Sequence, residues 1–433
     1  MPVLWSTVTA TTPDISLPAP AVPALSAMHN QIRDYDWGSA SALAMLQSRP
    51  PSGGPEAELW MGAHPSAPSQ LVLDNGVTVS LDQAITADPV AVLGADAAAR
   101  FGARLPYVLK VLAIARPLSV QVHPNAARAL EIHRPGGGSP YVDAYHKPEM
   151  LYALEPTEAL FGFRTPGQAA MLIRRLDCER LNDLAAALEG EPPTQTIDLE
   201  PVDQPAADSA RLHAALSTLV NWPVADRASL VAAIATASIR LQASGNTDYP
   251  EAFGWLDRLV GLHPADPMVL APLLLDLVRL SPGQTIFVPA GVPHCYLSGL
   301  GVEILAASDN VLRCGLTSKP IEVDELLHVI DTRPLASSET PLITLGEHET
   351  AWRPEVEDFQ LTRIVVDGEP VVADPSIDGP QVLLCTRGKV QVQAGSRTVQ
   401  LTGGYSAFVT AGAGALTLSG GGEVFRAAPG RPS

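Results

Sequence analysis

The chain has 433 residues, 46% of them hydrophobic, and a formal net charge of −18. That length supports two or three hydrophobic cores, and the acidic balance argues against nucleic-acid or membrane-surface partners, both of which need basic patches. Cys178, Cys295, Cys314 and Cys385 are scattered without a C-x-x-C pair, so neither a disulfide framework nor a thiolate metal site is signalled, and reduced cytoplasmic thiols are expected.

Residues 1–27 lack a basic n-region, and prolines interrupt every apolar run. A disordered extension fits this segment better than a signal peptide, with Met28 as an alternative start. No run of about 18 apolar residues is present, so no transmembrane helix is expected. Residues 60–165 carry short alternating or apolar runs (SQLVLDNGVTVSL, LPYVLKVLAIA, LSVQVHPN, EMLYALEP) separated by turn residues, which predicts mostly β structure. HPNAARALEIHR, from His123, predicts a helix leaving a strand end. Between 166 and 280 the period changes. QAAMLIRRLDCERLNDLAAALEG, SARLHAALSTLV, RASLVAAIATASIRLQA and DPMVLAPLLLDLVRL place apolar residues at i, i+3, i+4 and i+7 and predict amphipathic helices. The Pro-rich 191–205 segment reads as a loop.

From Ser281 the β pattern returns, with DELLHVID as a short helix, and the tail from 342 to 430 is strand-rich with glycine turns. Antiparallel β on both sides of a helical insert suggests two barrel or jelly-roll units. A weak internal echo supports this: the stretch from Gly283 to Gly291 resembles that from Gly404 to Gly412. His294 follows the first copy and Ala415 the second, three residues after the closing glycine.

Candidate chemistry begins at LSVQVHPN (118–125). Alternation along a strand points Leu118, Val120 and Val122 one way and Ser119, Gln121 and His123 the other. The polar face thus carries an amide and an imidazole two residues apart. Glu149 in DAYHKPEM and His294 in PAGVPHCY complete a set of nitrogen and oxygen donors suited to Zn²⁺ or another first-row divalent ion. Each residue alone reads more readily as packed or solvated than as a ligand; their agreement within one barrel architecture favours a metal site.

Gly283-x5-Pro289-Ala-Gly291-x2-His294 resembles the second cupin motif, and Gln121-x-His123 with a downstream Glu resembles the first, with Gln in place of its first His. The motifs YDWGS (35–39), ELWMGAHPSAPS (58–69), PYVLKVL with LSVQVHPN (106–125), YHKPEM (145–150), FGFR (161–164) and VPAGVPHCYLSGLGVEILAASDNVLRCGLTSK (288–319) are together similar to type I mannose-6-phosphate isomerase. The resemblance implies a mainly β protein with an α insert. Its catalytic cupin jelly roll would be formed by 28–165 and 281–335, with a helical insert domain at 166–280 and a cupin-like β domain at 336–433. It implies one Zn²⁺ per chain held by Gln121, His123, Glu149 and His294. It also implies interconversion of mannose 6-phosphate and fructose 6-phosphate through a cis-enediol, by a cytoplasmic enzyme expected to act as a monomer on a small sugar phosphate.

Within that frame Arg313 matches the family's active-site arginine, whose forked donors can stabilise an enediolate or guide ring opening. Lys147 and Glu303 are rival bases, and the sequence does not choose between them: Lys147 could instead bind phosphate, and Glu303 could instead orient Arg313 or a ligand. Lys110, a lysine within an apolar strand, matches a phosphate-binding position. Ser119, Trp37, His146, Asp309 and Lys319 complete the expected substrate contacts. His64 lies in a family motif without an inferred role. Two rival readings stay open: another cupin metalloenzyme, such as an iron dioxygenase or sugar epimerase, and a non-catalytic sugar-binding cupin. Gln121 disfavours iron–oxygen chemistry, and Arg313 together with Lys147 and Glu303 disfavours mere binding.

Overall fold

The computed structural model describes residues 22–73, 76–190, 204–245, 248–334, 340 and 342–431. Two large antiparallel sheets dominate it. The first runs in the order Leu275–Leu280, Thr157–Phe163, His294–Ala306, Tyr107–Ile114, Glu58–Gly62, Gln31–Arg33, with Glu149–Ala153, Thr285–Val288, Val120–Val122 and Leu312–Gly315 pairing beside this path.

The 13-residue strand His294–Ala306 organises that sheet. Its first residues pair with Val120–Val122 and Thr157–Phe163, and its later ones with Tyr107–Ile114 and Glu149–Ala153. The register shifts between Tyr296 and Ser298, followed by Gly299 at φ +133°. A Cβ on Gly299 would lie 2.8 Å from the Thr157 backbone, so only glycine lets the strand pass from one set of partners to the other.

Tyr107–Ile114 is buried along its whole length. Tyr107, Leu109, Val111 and Ala113 face one core, while Val108, Leu112 and Ile114 pack into others on the opposite side. Lys110 shares the second face. The strand of the Gln-x-His motif is only Val120–Val122. Val120 and Val122 enter the helical core, each worth roughly 1.5–3 kcal/mol on full burial, but Leu118 packs in a different cluster. The expected alternation therefore holds from Val120 onward and not at Leu118.

The helices Pro166–Arg175, Asn182–Glu189, Gln204–Val220, Val224–Ala243 and Pro250–Leu262 share one core with the undersides of the strands, through Leu160, Phe163, Cys295, Leu297 and Leu312. The first is opened by a Thr165–Gln168 capping box with Pro166 behind it. The expected helix over DPMVLAPLLLDLVRL is corrected: Pro267–Leu270 is a 3₁₀ turn, Ala271–Leu274 one helical turn, and Leu275–Leu280 a strand paired with Thr157–Phe163. A short apolar run fits either period, and the open edge of Thr157–Phe163 decides for the strand. Most of the expected loop at 191–205 lies outside the described residues.

The second sheet runs Leu342–Thr344, Glu349–Trp352, Gln360–Asp367, Leu416–Ala428, Gln381–Ala394, Ser406–Val409, Leu25–His29, Gln70–Val72, Thr78–Ser80, with Val371–Val372 and Arg397–Thr402 alongside. Leu25–His29 corrects the expected extension of 1–27. Leu25, Ser26 and Ala27 pair in register with Val409, Phe408 and Ala407, and Leu25 and Ser26 are buried. An edge left open by Ser406–Val409 is covered by the N-terminal strand; residues 1–21 lie outside the described set.

The internal echo has a structural counterpart. Thr285–Val288 and Ser406–Val409 are each bracketed by glycines at positive φ, Gly283 and Gly291 in one, Gly404 and Gly412 in the other. Each unit then runs into a 13-residue strand, His294–Ala306 or Leu416–Ala428. All four cysteines are buried free thiols. Among the described residues, no helix is long and apolar enough to cross a membrane.

Candidate metal and substrate site

Two rows of side chains cross the first sheet. In one, Arg313 and His294 are both cross-strand partners of Gln121, from opposite sides. In the other, Trp60, Lys110 and Glu303 are partners in sequence across three strands. Cross-strand partners share a face, so each row presents its polar groups together. Glu149, on a further strand, reaches the first row.

His123 Nε2 lies 3.3 Å from Glu149 Oε1, and His294 Nε2 lies 3.3 Å from Glu149 Oε2. The nitrogen, nitrogen and oxygen donors of these three buried residues all lie within 4.8 Å of one another. The Gln121 amide is 3.4 Å from His294 Nε2, and turning that amide over presents its oxygen instead.

The protonation pattern is set from behind. His123 Nδ1 donates to the Asn310 carbonyl at 2.7 Å, and His294 Nδ1 donates to the Val292 carbonyl at 3.1 Å. In the neutral tautomer each Nε2 then carries a lone pair aimed at the Glu149 carboxylate. Burial, with Lys147 adding to it, pushes the His123 imidazole down to about 4, so it is neutral near pH 7. Burial, the largest single influence, raises the Glu149 carboxyl, but Lys147, with Nζ at 2.9 Å, and the two imidazoles together outweigh it and hold the group well below the usual carboxylate range.

The His123 lone pair thus faces an anion across 3.3 Å. His123 Nε2 and Glu149 Oε2 are buried polar atoms without a hydrogen-bond partner. Such a group is costly unless a cation lies among its members. Donors about 2.0–2.1 Å from a tetrahedral ion lie roughly 3.3–3.4 Å from each other, and each imidazole stands 3.3 Å from one of the two Glu149 oxygens. The donor set, two imidazoles with a carboxylate and an amide, fits a first-row divalent ion.

The group forms the floor of a cleft of about 640 Å³ lined by Trp37, Lys110, Ser119, Gln121, Lys147, Glu149, Glu303, Asp309, Arg313 and Lys319. Every expected site residue is thereby brought to one place except His146. His123 and His294 sit beneath the lining. His146 is a correction: its Nε2 bonds Asp358 Oδ2 at 2.6 Å, facing the second sheet. It precedes Lys147 in an irregular segment, and the two neighbours point in different directions.

Lys110 Nζ lies 3.2 Å from Glu58 Oε2, 3.7 Å from Glu303 Oε2 and 4.2 Å from the Trp60 ring centroid. Burial opposes its charge, but the Glu58 and Glu303 carboxylates outweigh burial and keep the ammonium protonated. Burial, then the nearby Glu149 charge, pushes Glu303 up to about 8, against the pull of Lys110. Among the described residues Arg313 has no hydrogen-bond or ion-pair partner, although it is half-buried. A guanidinium directed into a cleft in that state is ready for an anion.

Glu58, Trp60 and His64 were not singled out as site residues by the sequence. Glu58 accepts from the Trp60 indole as well as from Lys110, and His64 Nε2 is 3.2 Å from Asp309 Oδ1. The available signal was period two: Glu58 and Trp60 alternate with buried Leu59 and Met61, so they share a face.

These features define a β-sheet protein with a buried group of nitrogen and oxygen donors that could hold a cation, below a cleft lined by carboxylates, ammonium groups and a guanidinium. Residues 25–166 match the family model described as the catalytic domain of type I phosphomannose isomerase. The chain is 33% identical over 410 residues to the mannose-6-phosphate isomerase of Escherichia coli, covering 92% of this chain and 97% of that one. It is 30% identical over 390 residues to the human mannose-6-phosphate isomerase, covering 86% and 89% respectively. Its structure is similar to a phosphomannose isomerase point variant from Salmonella typhimurium, with a TM-score of 0.82 and 28% identity, covering 94% of this chain and all of that one. A zinc-bound mannose 6-phosphate isomerase gives a TM-score of 0.81 and 29% identity, with the same coverage. The chain belongs to the mannose-6-phosphate isomerase family.

Proposed function

We propose that this chain is a zinc-dependent aldose–ketose isomerase that interconverts mannose 6-phosphate and fructose 6-phosphate through a cis-enediol. The observation that carries the reading is the meeting of two imidazoles, each anchored through Nδ1, with the Glu149 carboxylate at 3.3 Å. Gln121, His123, Glu149 and His294 would hold one zinc ion, which supplies Lewis acidity toward the C1 and C2 oxygens when bound.

The chain's own residues do the rest. Glu303 carries the proton between C1 and C2: it lines the cleft, and its carboxyl, raised to about 8, can gain or lose a proton near neutral pH. Lys147 is committed to its ion pair with Glu149, so its role is to supply positive charge at the cleft floor. Arg313 stabilises negative charge growing on the substrate oxygens. Lys110, Ser119 and Lys319 hold the phosphate, Trp37 stacks on the sugar, and Asp309, fixed by His64, bonds sugar hydroxyls.

The wider architecture follows from the same reading. The catalytic unit is a cupin jelly roll, the helices from Pro166 to Leu274 form its insert, and the second sheet is a cupin-like unit that includes Leu25–His29. One chain supplies the whole cleft, consistent with a monomer working in the cytoplasm. An iron dioxygenase is less well supported because an amide stands in the donor set. A pure binding module would have no use for a carboxyl tuned like that of Glu303.

The test is conversion of mannose 6-phosphate to fructose 6-phosphate in deuterium oxide, followed by proton resonance. Turnover with deuterium entering the transferred position supports proton transfer through an enediol, and absence of turnover in zinc-loaded protein rejects the proposal.

A further inference from the structure

We infer that Asn310 is a positioning residue that sets the geometry of the cation site from both of its sides. The inference rests on the zinc reading above and adds a role for a residue that touches neither substrate nor metal. Asn310 is wholly buried. Its backbone carbonyl accepts the Nδ1–H of His123 at 2.7 Å and so holds that ring in the tautomer that leaves Nε2 free.

Its side chain grips the segment that leads to Lys147 and Glu149. Asn310 Oδ1 accepts from the backbone N–H groups of Val142, at 2.8 Å, and Asp143, at 3.2 Å. Asn310 Nδ2 donates to the Asp143 carbonyl at 2.8 Å, to Asp143 Oδ1 at 3.1 Å and to the Tyr145 carbonyl at 2.8 Å. Donors gather at the amide oxygen and acceptors at the amide nitrogen, so only one orientation of the amide satisfies all of them.

Asp143 returns the grip. Its Oδ2 accepts from the Asp309 N–H at 2.8 Å, and its Oδ1 accepts from the Ser308 hydroxyl at 2.9 Å and the Tyr145 N–H at 2.9 Å. The 308–310 turn and the 142–145 segment are therefore one locked unit. His123 hangs from its first part, and the chain runs from its second part into Lys147 and Glu149. A shift between the two parts changes the distance between His123 Nε2 and Glu149 directly. No other side chain among the described residues both anchors a donor's far nitrogen through its own backbone and holds the approach to a second donor.

The test compares wild type with Asn310→Ala, Asn310→Asp and the double variant Asp143→Asn/Asn310→Asp. Asn310→Asp keeps the shape but sets a carboxylate against three acceptor oxygens; the double variant relieves only the contact with the residue 143 side chain, leaving the two backbone carbonyls opposed. Three quantities are read: the zinc dissociation constant by competition with a chromophoric chelator, the visible absorption of the cobalt(II)-loaded protein, and the melting temperature of the metal-free form. Expected in Asn310→Asp are zinc binding weaker by about 10–100-fold and displaced cobalt bands, with part of the affinity recovered in the double variant. If Asn310→Ala does not fold, the other two variants still decide. Wild-type zinc affinity in Asn310→Asp, or weaker binding with unaltered cobalt bands, would overturn the inference. Failure of the wild-type protein itself to bind zinc would instead remove the reading on which it rests.

Discussion

Arg313 is the cross-strand partner of Gln121. Because Gln121 is also the partner of His294, the guanidinium stands one strand away from a proposed zinc ligand and two from another, on the same face. The arginine is thus held by the sheet, with no anion beside it among the described residues. Backbone register, not a side-chain ion pair, aims the charge.

Arg313→Ala should therefore lower kcat by at least ~10²-fold, the loss expected when a preorganised charge stabiliser is removed. Zinc content should stay at the wild-type level, because Arg313 contributes no donor to the group. Steady-state kinetics with metal analysis of the same sample checks both halves.

His294→Ala should behave in the opposite way. It removes one of two imidazoles and leaves the Glu149 carboxylate with a single imidazole partner at 3.3 Å, beside Lys147. Purified variant should contain almost no zinc by atomic emission, and activity should fall with the metal. Full occupancy in that variant would remove His294 from the ligand set.

Glu303→Gln should lower kcat by roughly 10²–10⁴-fold, the range for loss of a general acid–base group. A limb of the wild-type pH–rate profile lying above the ordinary carboxylate range should disappear in whatever activity remains. Stability carries the same signature. The folded carboxyl is raised to about 8 by burial and by Glu149, while the unfolded one titrates in the ordinary carboxylate range. Between the two the native state binds the extra proton, so the contribution of Glu303 to stability falls as pH rises through that window. The melting temperature of wild type relative to Glu303→Gln should accordingly decline from about pH 5 to pH 8. A difference that is flat or rising would contradict the assignment.

Gly299→Ala tests the bend that joins the two sets of strands. A Cβ there would lie 2.7 Å from Thr157 Cβ and 2.8 Å from Thr157 Cα, on a residue at φ +133°. A loss of about 1–3 kcal/mol is expected from overpacking, read as a lower melting temperature in thermal denaturation. An unchanged value would mean that the strand accommodates a side chain at its corner.

How much of this was legible in the sequence depended on the range of the interaction. Gln121 and His123 could be read from alternation along a strand, and the helices between Pro166 and Leu262 from their period, because both signals are local. Glu149 and His294 needed longer motifs, since nothing within a few residues says that they approach His123. Glu58 and Trp60 are not legible as site residues locally, because what brings them to the cleft is their contact with Lys110 on the neighbouring strand. His146 departs from the expectation because in an irregular segment a residue beside a site residue carries no rule for direction. The strand Leu275–Leu280 and the N-terminal strand Leu25–His29 are set by partners more than a hundred residues away. Those edges decide a conformation that local pattern leaves open.

Whether these side chains share one cation is read from anomalous diffraction at the zinc absorption edge, on crystals of protein loaded with one equivalent of zinc. A single strong peak is expected about 2.0–2.2 Å from His123 Nε2, His294 Nε2, a Glu149 oxygen and the Gln121 amide oxygen. A peak located elsewhere, with none among these four side chains, would contradict it.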